Sequence, residues 1–240
     1  MLETLAQIDV RDPGEGATSC EGRNETVCLG YIVDNVGDYV EPTLRHLYLV
    51  GISVLAGLAL ALLLAVISHR RRWLMPVFLS GTGVLYTIPS IALFLILLPV
   101  TGRGVTTALI ALTLYNLQII YRNAVTGLAN VPGSSRDAGR GMGMTDRQLL
   151  WRVEMPLAVP EIVAGVRIAT VSTVAIATLA VFVGAGGVGE VIYTEGINRD
   201  VFKTAIAAGS FIAIAMAIGF DGLLLVAQRL IAPWRQARTI

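Results

Sequence analysis

The residues able to do chemistry in this 240-residue chain are few and scattered. The string "GAGGVG", Gly184 to Gly189, contains a literal G-x-G-x-x-G. That pattern cradles a dinucleotide only when a short strand precedes it, a helix follows, and an acid lies about 20 residues on. Here it follows a long apolar run, so a nucleotide site is not expected. The remaining readings are a membrane-exit turn, or glycines that let helices approach closely or unwind along a water-filled path. His46 and His69 lie far apart, and each reads as an interfacial residue. No Ser-His pair, paired carboxylate or metal-ligand spacing occurs, so neither an enzyme site nor a metal or cofactor is expected. The chain also lacks a Gly-x-x-x-x-Gly-Lys-Ser/Thr loop, so ATP bound in that way would have to come with a partner.

Other polar residues fall inside apolar runs. Asp221 lies eight residues before Arg229, so roughly 12 Å deeper along a helix. An acid at that depth is a functional candidate, or it pairs with a neighbouring helix for assembly, and the second reading is preferred. Asn116 and Gln118 divide evenly between interhelical glue and pathway lining. Arg167 is expected near the membrane surface. Tyr86, Tyr115, Phe182 and Tyr193 could offer their faces to a quaternary ammonium cation. Such aromatics more often serve as core or belt residues, so no substrate site is assigned from them.

The elements that must hold these residues are apolar helices. Hydrophobic residues make up 55% of the chain and charged residues only 15%, against about a quarter charged in a soluble domain. Net charge is +1, which gives no basic face for nucleic acid. Five spans are expected: 46–67, 73–100, 104–121, one beginning near Pro160 and apolar from Ile168 to Val183, and 204–228. Gly81, Gly83 and Pro89 should kink the second. The start, "MLETLAQIDVRDPGEG", has neither a basic n-region nor an apolar h-region and does not read as a signal peptide.

Arginines orient the spans. Arg70, Arg71 and Arg72 follow span 1, Arg122, Arg136, Arg140, Arg147 and Arg152 lie between spans 3 and 4, and Arg229, Arg235 and Arg238 close the chain. The positive-inside bias then places the N-terminus outside and the C-terminus in the cytoplasm of a multi-pass cell-membrane protein. Residues 1–45 agree, with nine acids against three arginines. They form an extracytoplasmic segment ahead of the transmembrane domain, 46–240. Within the segment, Ile32, Val36 and Tyr39 mark an amphipathic stretch, 31–47, lying on the outer surface. On the same oxidising side, Cys20 and Cys28 either close a disulfide or remain two free thiols.

One polar insert, about 130–157, interrupts this pattern. "SSRDAGRGMG" offers Ser134 or Ser135 as a helix cap. Gly143 suits a helix-ending glycine, and Thr145 with Gln148 fits a capping box. Leu149, Leu150 and Val153 follow at helical spacing, and Pro156 should end or bend that helix. On charge alone the insert reads as a solvated loop with ordinary positive-inside arginines; with this turn chemistry, two short helices with an apolar side and a rim of arginines would make a knob suited to a partner's groove.

The insert resembles the cytoplasmic coupling motif of importer permeases of the ATP-binding cassette family. The motif reads Glu-Ala-Ala, three residues, Gly, nine residues, Ile-x-Leu-Pro. Asp137, Ala138 and Gly139 stand at the first three positions, Gly143 at the glycine, and Val153, Met155 and Pro156 at the end. The first residue is a conservative change and the third is smaller. From about residue 29 onward, "YTIPSIALF", "YRNAVTGL", "LWRVEMPLAVPEIVAGVRIATV" and "FVGAGGVGEVI" are similar to permeases for glycine betaine, carnitine or choline. Methionine importer permeases share the glycine-rich string and are the nearest alternative. A stand-alone channel is a more distant one.

The resemblance implies an all-α polytopic fold and no catalysis by this chain. It implies a separate ATPase docked on the insert, a second permease subunit that is identical or paralogous, and an extracytoplasmic substrate-binding protein. It also implies that Gly184, Gly186, Gly187 and Gly189 line an outer gate, with Asn116 a candidate for the path.

Overall fold

Apolar backbone in hydrocarbon must close its own hydrogen bonds, and the five apolar stretches accordingly fold as helices. The computed structural model of the chain describes Gly22 and residues 24–199 and 201–231. Among these residues there is no strand. In chain order the helices are α1 (Leu29–Asp34), α2 (Val40–Arg70), α3 (Leu74–Thr87), α4 (Ser90–Thr101), α5 (Val105–Ala129), α6 (Gly133–Gly141), α7 (Asp146–Leu149), α8 (Met155–Ala177), α9 (Val188–Glu190) and α10 (Lys203–Ile231).

Three stretches are long and apolar enough to cross a membrane: Val36–Arg70, Asp146–Val183 and Lys203–Ile231. Helices α3 and α4 are each too short alone, but together they form a fourth, bent by 97°. The bend sits at Ile88–Pro89. Ile88 is extended (φ −66°, ψ 127°), as a residue before proline prefers, and Pro89 opens α4. Gly81 and Gly83 lie inside α3 and make no kink, so of the three expected breakers only the proline acts. Helix α5 has 25 residues, about 37 Å of rise against roughly 30 Å of hydrocarbon. It is the most polar of the five because it is the central one. Asn116 lies between Gly57 of α2 and Thr173 of α8, while Tyr115 and Tyr121 pack against Tyr86 and Phe78 of α3.

Small residues let these helices approach. A Cβ on Gly57 of α2 would lie 2.5 Å from the Asn116 Cβ, and one on Gly165 of α8 would lie 2.5 Å from the Asn123 Cβ. Ala61, Ala108, Ala111, Ala124 and Ala169 are fully buried along the same seams. Such close packing is what holds helices together when lipid is as apolar as they are. Tyr121, also fully buried, donates from its hydroxyl to Ser68 Oγ at 3.0 Å and packs edge-on against Phe78.

The N-terminal stretch departs from expectation. Residues 31–47 are not one amphipathic helix. Helix α1 stops at Asp34, Val36–Tyr39 forms a 3-10 turn, and residues 40–47 already belong to α2. The segment before α1 reaches across to the start of α10. Asn24 Oδ1 accepts from the Lys203 N–H at 2.9 Å, its Nδ2 donates to the Val201 carbonyl, and Thr204 donates to the Glu25 carbonyl. Cys28 is buried and disulfide-bonded, and Cys20, the other cysteine of the sequence, lies outside the described residues.

Candidate functional site

The insert is built from local signals. Helix α6 begins at Gly133, with Pro132 (φ −57°, ψ 135°) in front of it. Ser134 and Ser135 therefore sit in its first turn and cap nothing, because the chain enters the helix a residue earlier than their side chains suggested. At the other end Gly143 takes φ 76°. The Met144 N–H bonds to the Gly139 carbonyl (3.2 Å) and the Gly143 N–H to the Arg140 carbonyl (2.9 Å). These two bonds are the Schellman pattern that closes a helix on a left-handed residue. Thr145 then caps α7. Its hydroxyl accepts from the Gln148 N–H, and the Gln148 side chain accepts from the Thr145 N–H, completing the capping box.

Gly139 explains how the two short helices meet. A Cβ there would lie 2.6 Å from Leu149 Cδ1 and 3.5 Å from Met144 Sδ, so the glycine surface is the floor on which α7 packs. Asp137, Ala138 and Met142 face outward, with Met142 70% exposed at the tip. Val153, Met155 and Pro156 are half-buried where the insert joins the bundle.

Pro156 does not end the helix. A π turn, Leu150–Glu154, precedes it, and the helical path from Asp146 to Val183 is continuous. The wider turn leaves room for a ring that would clash with the carbonyl four residues back, and a proline in the first turn of α8 loses no needed hydrogen bond. The insert is thus the base of a spanning rod.

Sequence reasoning missed the group that ties the insert down. Glu154, 3% exposed, accepts from Arg136 Nε at 2.7 Å on one oxygen, and His69 Nε2 lies 2.8 Å from the other. Arg136 also donates to the Leu128 carbonyl at 2.6 Å. One signal was available: Glu154 is the only acid between Asp146 and Glu161.

At the far end of α2 the glycine string forms a second site. Gly184 (φ 73°) closes the 3-10 turn Thr178–Val183, and Gly186 and Gly187 follow at φ 75° and 90°. The segment is pinned on several sides. Arg45 Nε donates to the Ala185 carbonyl at 3.1 Å. His46, fully buried, accepts from the Val188 N–H at Nδ1 and faces the Val174 carbonyl through Nε2 at 3.1 Å. Those partners assign the proton to Nε2. Gly189 lies directly against the Thr178 carbonyl, where no side chain fits.

Asn116, 1% exposed, accepts from the Thr173 hydroxyl at 2.6 Å and so joins α5 to α8, and its Nδ2 is buried without a partner. The Thr82 hydroxyl donates to Gln118, joining α3 to α5. Tyr86 with Tyr115, and Phe182 with Tyr193, form two edge-to-face pairs with centroids 5.6 and 4.7 Å apart. Arg167 pairs with Asp221 of α10 at 2.8 Å. Among the described residues no cluster of metal-ligating side chains occurs.

A polytopic helical chain with a closed two-helix insert at one end and a pinned glycine turn at the other now has its counterparts. The family described as "Binding-protein-dependent transport system inner membrane component" matches residues 54–236. The chain belongs to that family. It is 38% identical over 210 residues to the osmoprotectant import permease protein OsmW of Salmonella typhimurium, covering 85% of this chain and 97% of that one. It is 34% identical over 209 residues to the choline transport system permease protein OpuBD of Bacillus subtilis, covering 87% and 89%. It is 36% identical over 203 residues to the carnitine transport permease protein OpuCD of Listeria monocytogenes, covering 84% and 91%.

Among solved structures the fold is shared with the MetNI methionine ABC transporter in its inward-facing conformation (TM-score 0.67, 22% identity, 78% of this chain and 95% of that one). It is shared equally with an amino acid ABC transporter crystallised with histidines (TM-score 0.70, 19% identity, 85% and 99%). The chain is a multi-pass membrane transport component of this family.

Proposed function

We propose that this chain is the membrane-spanning subunit of an ATP-driven importer of osmoprotectants, small quaternary ammonium solutes such as glycine betaine, carnitine or choline. The substrate class follows the relatives that are 31–38% identical over most of the chain. The methionine and amino-acid transporters, at 22% and 19%, speak for the fold alone.

The observation that carries the mechanism is the insert. Asp137, Ala138, Gly139, Gly143, Val153, Met155 and Pro156 keep the register of a coupling motif. The turn that holds them is closed by the Schellman bonds on Gly143 and the capping box on Thr145. A rigid knob at the base of a continuous rod is what a separate ATPase needs to rock a spanning helix. In this reading the insert is cytoplasmic and the N-terminus lies outside. A second permease subunit completes the path, and a binding protein delivers the solute to the outer face. The pinned turn Gly184, Gly186, Gly187 and Gly189 is the outer gate element, and Asn116 is the buried polar group nearest the path.

The test is Gly143→Val. A β-branched residue at φ 76° is strained by about 1–2 kcal/mol or more, and no part of the spanning bundle is touched. Uptake in vesicles holding the full complex should be lost, and capture of the ATPase from detergent should weaken. Thr145→Ala should be milder, since a cap contributes about 1 kcal/mol. Normal uptake with normal ATPase capture in Gly143→Val would remove the insert as the coupling element. Orientation is checked by fusing a reporter active only in the cytoplasm to each terminus. Activity at the N-terminal fusion would overturn it.

A further inference from the structure

The insert is joined by the chain itself to α5 and α8. Nothing covalent joins it to α2, which leaves the same end of the bundle more than 60 residues earlier in the sequence. Yet the last turn of α2 is held to the insert through one buried carboxylate. Glu154 uses one oxygen for Arg136 of α6 and the other for His69 of α2, at 2.7 and 2.8 Å. Arg136 in turn reaches the Leu128 carbonyl. This is one of the last carbonyls of α5, which have no partner within their own helix. A single side chain therefore gathers α2, α5 and α6 on the π turn that begins the α8 rod.

We propose that Glu154 is a positioning residue for transport, the brace through which movement of the insert is delivered to α2 as well as to α5 and α8. The inference rests on the importer reading above and extends it to a helix that the coupling motif does not contain. Three features favour a brace over an ordinary surface ion pair. Glu154 is 3% exposed, so its carboxylate is withdrawn from water, while the His69 and Arg136 side chains keep 27% and 25% of their surface exposed. Both carboxylate oxygens are engaged by different elements, so the geometry fixes three bodies rather than two. A desolvated pair adds little net stability over an apolar replacement and is better suited to fixing register. Glu154 faces inward, away from the exposed Asp137 and Met142 side of the insert, so it is not part of the ATPase-docking surface.

With the brace cut, the ATPase should still dock and hydrolyse ATP, while less of each cycle reaches the membrane helices. The experiment uses the complete complex, permease with ATPase and binding protein, in proteoliposomes. Glu154→Gln and His69→Leu should each lower solute imported per ATP hydrolysed by about tenfold, with ATPase capture near normal. His69→Gln, whose amide can still donate to Glu154, should recover most of that ratio. A misfolded permease would instead lose uptake and hydrolysis together, so a proportional loss in these variants, or an unchanged ratio, overturns the proposal.

A second measurement does not depend on activity. Spin labels placed by Arg71→Cys on the α2–α3 turn and Ser134→Cys on α6 report the distance between α2 and the insert by pulsed EPR. That distance should stay fixed between the resting and vanadate-trapped complex in the wild type and should broaden or shift in Glu154→Gln. A distance that changes between the two wild-type states would sink the brace while leaving the importer reading, tested separately by Gly143→Val, in place.

Discussion

Arg167 of α8 grips Asp221 of α10 in a fork, with Nη2 2.8 and 2.9 Å from the two carboxylate oxygens and Nε 3.0 Å from one of them. Gln228 adds a further contact, accepting from Nη1 at 3.4 Å while donating to the Pro160 carbonyl. Both charges lie well inside their spanning helices, where an unpaired Arg or Asp raises the cost of insertion by about 2.5–3.5 kcal/mol. The pair also leaves 25% and 42% of its side-chain surface uncovered by this chain. Charge does not face lipid freely, so in the proposed importer that side of the seam would face a second permease subunit or the water-filled path.

Either neighbour gives the same prediction for the pair itself. Asp221→Asn and Arg167→Gln should each reduce the amount of folded permease recovered from membranes, because each strands one charge. The exchange Arg167→Asp with Asp221→Arg should restore much of the yield. Size-exclusion recovery in detergent measures this. A double variant no better than the worse single would show that the two residues do not act as a pair.

Gly139 makes a prediction of a different kind, since its backbone is ordinary α-helix and only space is at issue. The atom its Cβ would meet, Leu149 Cδ1 at 2.6 Å, is the far end of a flexible side chain. Gly139→Ala, the residue of the coupling motif that this chain resembles, should therefore be accommodated by a small shift of Leu149. Gly139→Val adds two further methyl groups against Met144 and Val153, and overpacking of that degree costs about 1–3 kcal/mol. ATPase capture should be near normal for Ala and clearly weakened for Val. Equal capture by the two variants would mean that the floor between α6 and α7 is not tightly packed.

The parts of this architecture legible beforehand are the ones that short-range chemistry decides. The capping box on Thr145, the left-handed Gly143 and the Pro89 break each depend on residues within a few positions. The apolar spans followed from composition. Boundaries were less legible, since α2 continues upstream of His46 through Arg45 to Val40. Three features depend on partners distant in sequence, and only Glu154, the one acid between Asp146 and Glu161, left a local trace. His69 reads as an interfacial residue, Arg136 as one of the orienting arginines, and Glu154 draws no reading of its own. The partner of Arg167, Asp221, lies 54 positions away. The π turn before Pro156 is set by how the insert seats on the bundle, and no residue within it announces the extra residue per turn.

The last prediction concerns the glycine turn and its contact with α2. Gly187 sits at φ 90°, and a Cβ on it would lie 3.1 Å from His46 Nδ1. That nitrogen is the acceptor for the Val188 N–H at 3.3 Å. Gly187→Ala thus meets two objections at once: a left-handed backbone costing about 1–2 kcal/mol for a residue with a side chain, and a methyl crowding the group that satisfies the next amide. Replacing the histidine tests the second without the first. His46→Phe keeps ring volume but removes the acceptor, leaving a buried N–H unpaired at about 1–3 kcal/mol. His46→Gln can present an oxygen to the same amide and should cost less. Thermal unfolding of the purified permease in detergent should rank the variants wild type, His46→Gln, His46→Phe, with Gly187→Ala also below wild type. If His46→Phe matches wild type, the ring acts by shape alone and its nitrogen does not hold the turn. If Gly187→Ala matches wild type, the turn is free to change its path, and the tight contact between Gly187 and α2 is not required to close that end of the bundle.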